Sequence, residues 1–122
     1  MLKANLKEKF ELFDAYWTPK IIGELNGQYV KIAKLKGEFV WHDHENVDEL
    51  FYVVKGVLTL IFRDQKDVTL NEGEIYVVPA GVEHLPVAKE ECWVMLIEPK
   101  STKHTGSKET DKSISISDQE WI

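Results

Sequence analysis

The chain has 122 residues, 43% of them apolar, with four Trp, four Tyr and five Phe. That is one domain's worth of chain, with enough apolar material for a single core, so neither disulfides nor oligomerisation is needed to explain folding. A formal charge of −6 and a pI near 5.2 argue against nucleic acid as a partner, because a phosphate backbone is held by clustered Lys and Arg. No run reaches the ~18 consecutive apolar residues of a membrane span, and the start has no leader-like apolar stretch, so the expectation is a cytoplasmic protein with no membrane partner.

Leu6, Phe10, Phe13 and Trp17 recur at three- and four-residue steps, and Asn5 followed by Glu8 has capping-box spacing. This predicts a short amphipathic helix over residues 5–16 within an N-terminal unit, 1–18. Its apolar stripe would pack on the outside of the fold or on a second subunit. From Pro19 the helical period gives way to short β-rich runs at residues 21–25, 29–35, 39–44, 50–54, 57–62, 68–70, 75–78 and 93–97. Asn26-Gly27, Lys36-Gly37, Lys55-Gly56, the polar run 63–67 and Asn71-Glu72-Gly73 separate them with hairpin-turn chemistry. Eight strands suit a barrel or jelly roll over 19–99, and connections this short require antiparallel pairing.

Residues 100–113 carry no large apolar side chain and read as a surface segment, after which Ile114, Ile116, Trp121 and Ile122 suggest a tail that docks; together these form a third unit, 100–122. The lone Cys92, flanked by Trp93, Val94 and Met95, reads as a small buried side chain.

The chemistry gathers around His42 and His44. Two positions apart on a strand, they share one face, although such a pair alone is a weak sign of a metal. Glu49 opens the next apolar run, where a tight loop brings its carboxylate back toward the imidazoles. His84 follows a strand and a Pro-x-Gly turn and starts the return strand. Three imidazoles and a carboxylate suit one divalent transition metal and are too nitrogen-rich for calcium or magnesium. The competing bland reading is a metal-free interior in which these groups satisfy one another and water. Asp43, Glu45, Asp48 and Glu83 read as solvated neighbours. His104 lies in the polar segment with nothing to fix it as a fifth ligand. Strand parity groups Val40 with the two histidines and Phe51 with Glu49, which makes Val40 and Phe51 the candidate pocket walls.

These residues carry a resemblance to the cupins. Gly37-x4-His42-x-His44-x4-Glu49-x6-Gly56 resembles the first cupin motif, and Gly73-x5-Pro79-x-Gly81-x2-His84 the second. Two departures, a first glycine one residue closer to the histidines and Ala88 where the second motif ends in asparagine, leave the ligands intact. The resemblance implies an all-β fold, a double-stranded β-helix (cupin jelly-roll barrel) with the short N-terminal helix added. Residues 48–56 and 81–84 are further similar to small single-domain cupins labelled mannose-6-phosphate isomerase-like. That likeness names a relationship, and no Arg/Lys cluster near the site would hold a phosphate.

Four protein ligands would leave an octahedral Fe, Mn, Ni, Zn or Cu ion two open positions, which suits catalysis by oxygenase or isomerase/lyase chemistry on a small molecule. As the resemblance to catalytic cupins allows, Glu49 could leave the metal and accept a proton, making it the catalytic candidate. The alternative is a non-catalytic module that binds or senses a metabolite. The resemblance also implies a homodimer through the first strands and sheet faces.

Overall fold

The computed structural model describes residues 3–102, 106 and 118–122. Asn5 caps helix α1 (Leu6–Phe10), its side-chain oxygen accepting from the Glu8 N–H at 3.0 Å. The helix is shorter than the apolar spacing predicts, because the chain beyond it is drawn into tertiary hydrogen bonds. The Lys34 ammonium donates to the Phe13 carbonyl at 2.7 Å, Tyr16 bridges Lys34, and the Trp17 N–H donates to the Lys34 carbonyl at 2.9 Å. Phe10 is fully buried and stacks on Trp93 at 4.6 Å, so the apolar stripe packs on the outside of the sheet as expected.

Eight strands follow: β1 (Lys20–Leu25), β2 (Gln28–Glu38), β3 (Glu49–Lys55), β4 (Leu58–Phe62), β5 (Val68–Leu70), β6 (Ile75–Val78), β7 (His84–Pro99) and β8 (Glu120–Trp121). β7 is the spine. Along one edge it pairs with β2; along the other it pairs first with β4, through residues 84–87, and then with β3, through residues 93–97. β5, β6 and β8 each pair on one side only, so the jelly roll is not closed into a hydrogen-bonded barrel. All pairings are antiparallel except β1 with β8, where the tail returns along the first strand. Trp121 and Ile122 therefore dock as expected, whereas Ile114, Ile116 and His104 lie outside the described residues.

Two of the expected runs lengthen and one dissolves. Lys36-Gly37 is not a turn: β2 continues through it, and Gly37, at φ 82°, takes up a register shift against β7. The segment expected as a strand over 39–44 is irregular, meeting β7 through the bridge between His42 and His84 and a hydrogen bond from the Phe39 N–H to the Pro86 carbonyl. β7 begins at His84 and runs unbroken through Lys89-Glu90-Glu91, whose polar side chains look outward. The main core lies between the layers and includes Phe51, Val53, Leu58, Leu60, Cys92 and Val94. Each such aliphatic or aromatic side chain contributes about 1.5–3 kcal/mol on full burial. A second cluster around Phe10, Ile22 and Ile32 secures the helix.

Candidate metal centre

His42, His44, Glu49 and His84 are all buried, and one donor atom from each lies within 4.8 Å of the others. Three local features assemble them. The bridge between His42 and His84 is made by two backbone hydrogen bonds, 3.1 and 2.9 Å. The Gly81 N–H donates to the His44 carbonyl at 2.9 Å, and the Ala80 N–H donates to the Asp48 carboxylate at 2.9 Å. The turn at Gly81, with φ 76°, is thus tied to the loop ahead of Glu49 from two sides. Asp48 is exposed as expected, but it pins the two motifs together instead of being merely solvated.

The ring orientations suit ligation. The Val40 carbonyl sits 2.8 Å from His42 Nδ1 and the Val82 carbonyl 2.9 Å from His84 Nδ1. A carbonyl can only accept, so both Nδ1 atoms donate and both Nε2 lone pairs are free. Glu49 Oε1 lies 3.3 Å from His44 Nε2 and 3.5 Å from His84 Nε2, and all three atoms are buried without a hydrogen-bonded partner. Buried polar atoms are rarely left so. A single ion with bonds of about 2.0–2.2 Å would satisfy all of them after small side-chain adjustments, so the donor set is compatible with a metal ion.

The protonation energetics point the same way. Burial, and then the electrostatic influence of the neighbouring His84, push the His42 imidazole down to about 4, so this ring is a neutral donor at physiological pH. Burial also works against charge on His44 and Glu49. In each case the contact with the other outweighs it, raising His44 and lowering Glu49. The attraction of Glu49 for positive charge at this place is equally available to a cation.

One part of the site is absent from the sequence-based reading. Glu98 on β7 lies beside Glu49 on β3, since Leu50 pairs with Ile97. Its carboxylate is fully buried 2.9 Å from the equally buried Lys31 ammonium, which also donates to the Thr102 carbonyl at 3.3 Å. Burial, and then the negative charge of Glu49, raise Glu98 to about 8 in spite of Lys31. Alternation already placed Lys31 in step with Ala33 and Leu35, and Glu98 in step with Val94 and Leu96. Two opposite charges facing one core were the available signal.

Beside the ligands is a narrow cavity of about 30 Å³. Phe51 is among its lining residues. Val40 is not among its lining residues: Phe39 takes that place in the irregular segment, and the Val40 carbonyl instead meets His42. Trp41 turns outward under the Arg63 guanidinium, 4.0 Å from the ring centroid, while Arg63 pairs with Glu83. The polar members of the cavity wall are His42 and Glu49; the rest of it is apolar.

Jelly-roll topology around a buried His/His/Glu/His cluster defines the class of protein. The chain belongs to the cupin family, whose domain model (Cupin domain) matches residues 28–98. It is similar to a cupin-2 domain containing protein from Shewanella frigidimarina NCIMB 400, with 52% identity and a TM-score of 0.77 over 79% of this chain and 93% of that one. It is 36% identical over 63 residues to the uncharacterized protein YdbB of Bacillus subtilis (strain 168), a match spanning 52% of this chain and 56% of that relative. A hydroquinone 1,2-dioxygenase from Sphingomonas sp. TTNP3 shares the fold, with a TM-score of 0.73 at 17% identity over 80% of this chain and 32% of that one. Among the described residues no helix is long and apolar enough to cross a membrane.

Proposed function

We propose that the chain is a metal-dependent enzyme acting on a small molecule, with His42, His44, Glu49 and His84 holding one divalent transition metal, Fe, Mn, Ni, Zn or Cu. The observation that carries this reading is the convergence of three buried, unpartnered donor atoms, on His44, Glu49 and His84, beside a cavity whose polar wall is Glu49 and His42. Bound there, the metal would supply Lewis acidity or, for a redox-active ion, electrons. The protein supplies the rest. Carbonyls of Val40 and Val82 fix the His42 and His84 rings. Phe51 and its apolar neighbours keep bulk water off the reacting side. Glu49, which lines the cavity, is the carboxylate placed to accept a proton from a ligand held there.

The fold shared with a hydroquinone dioxygenase makes oxygen uptake the first reaction to screen. That likeness is one of fold alone, so isomerase and lyase substrates belong in the same screen. Elemental analysis of protein purified without added metal or a chelating tag tests the site: we expect about one ion per chain in wild type and less than about a tenth of that in His42→Ala and His84→Ala. Unchanged metal in those variants would refute the assignment. Stoichiometric ligand binding without turnover would make the site a metabolite-holding one. We also read the β1–β8 edge, where Leu25 and Trp121 are 45% and 50% exposed, as a homodimer contact. Sedimentation velocity checks it, and a monomer at tens of micromolar (~50 μM) would exclude it.

A further inference from the structure

We propose that Trp17, which precedes β1 and lies outside the matched cupin region, sets the size of ligand that the open face of the metal accepts. The proposal rests on the metal reading of His42, His44, Glu49 and His84. Trp17 stands at φ 56°, in the left-handed region. A bulky aromatic residue rarely adopts that conformation, which persists only where the surroundings over-determine it. Here they do so at both ends of the residue. Its N–H donates to the Lys34 carbonyl at 2.9 Å, and its indole Nε1 donates to the Lys36 carbonyl, also at 2.9 Å.

Pinned in this way, the indole plane stacks on Phe39, with centroids 4.7 Å apart and planes 14° apart. Phe39 in turn meets the His42 ring edge-on, at 5.4 Å and 87°. The two aromatic rings thus form a rigid wall that ends on a metal ligand. Mere filling of space would not call for a left-handed backbone and a tethered indole; holding a plane at a fixed place does. The cavity this wall bounds, about 30 Å³, has room for about two water molecules. Phe51, Val94 and Leu96 on its other sides offer no charge. The ligand class is therefore a small carbon-bodied molecule with one metal-directed oxygen and no second charge.

The experiment uses the full chain loaded with Co(II), as wild type, Trp17→Ala and Trp17→Phe, and follows the visible d–d spectrum during titration with azide and with phenol. Azide, only three atoms, should perturb all three proteins with affinities within about twofold. Phenol should perturb the Co(II) spectrum at least about tenfold more tightly in Trp17→Ala than in wild type, with Trp17→Phe within about threefold of wild type. A purely structural tryptophan would leave phenol away from the metal and the spectrum unmoved. Equal or weaker phenol binding in Trp17→Ala, or an azide affinity that changes in parallel, overturns the proposal. If Trp17→Ala does not fold, Trp17→Leu is read by the same criterion, since it keeps apolar volume and loses the plane. Failure of the metal reading has a different signature, common to every protein: no Co(II) uptake by wild type, or no response to azide. It would overturn both.

Discussion

In metal-free protein, stability should fall as pH rises from 6.5 to 8, and Glu98→Gln should remove the share of that fall due to Glu98. Below pH 6.5 two effects oppose each other. The unfolded chain has ionised the carboxyl of residue 98, with its ordinary value of 4.5, and protonated His42, with its ordinary value of 6.5. The folded chain keeps Glu98 protonated to about 8 and His42 neutral to about 4. One proton held in the fold offsets one held in the unfolded chain. Above 6.5 the His42 difference vanishes and the folded state alone retains the Glu98 proton, so stability declines by up to about 1.4 kcal/mol per pH unit. Over the interval to pH 8 that amounts to about 2 kcal/mol from Glu98. His44, whose raised value likewise gives stability that is lost as pH climbs past 6.5, adds to the decline.

Glutamine imitates the protonated acid, so Glu98→Gln should match wild type within about 1 kcal/mol at pH 6.5 and gain about 2 kcal/mol on it by pH 8. Urea unfolding at half-unit pH steps with a chelator present measures both slopes. A wild-type stability that is flat or rising over this range, or a variant with the wild-type slope, would refute the burial argument for Glu98.

Three further outcomes follow from packing. At Gly56 a methyl group would sit 2.8 Å from the Glu91 carbonyl oxygen on a backbone with φ 88°, so Gly56→Ala should cost about 2–4 kcal/mol in chemical denaturation; a change under about 0.5 kcal/mol would contradict it. Phe10→Ala removes a fully buried ring stacked on Trp93 and should cost about 3–5 kcal/mol, against less than about 0.5 for Leu12→Ala at 64% exposure. Equal effects would mean that the helix does not dock as described. The Cys92 thiol, which burial pushes up to about 12, should react with a thiol reagent only on unfolding, and modification of native protein within minutes would count against its burial.

The His/His/Glu/His cluster was legible because its information is local: the histidine pair, the carboxylate five residues on, and the Pro-x-Gly turn before His84 are short-range patterns. What failed was the assumption that a period observed over a few residues continues. The three- and four-residue steps from Leu6 to Trp17 reflect apolar residues facing one surface, but beyond Phe10 the backbone faces that surface through bonds to Lys34. Parity holds for Phe51 and Glu49 on a regular strand and does not extend to Val40 on an irregular segment. The expected strand over 93–97 likewise proved to be only the end of β7, which runs back through 89–91 to His84. Lys31 and Glu98 went unread for a different reason. Each is improbable in a core alone, and only their contact makes both tolerable.

That buried pair also bears on how the site responds to loading. In the metal-free protein Glu49 carries the negative charge that helps keep Glu98 protonated. A divalent ion held by Glu49 and three neutral imidazoles would reverse the sign of the charge facing Glu98. Its proton then becomes easier to lose, and Lys31, 2.9 Å away, is already in place to pair with the carboxylate. Ligation through the His44 imidazole should also cancel the effect of its raised value. Both causes of the decline above pH 6.5 are thereby removed, so metal-loaded wild type should show less than about half the slope of the metal-free protein in the same urea titration. An unchanged slope at full metal occupancy would mean that Glu98 does not sense the charge at Glu49, and would leave the Lys31–Glu98 pair a structural feature of the core, independent of the site.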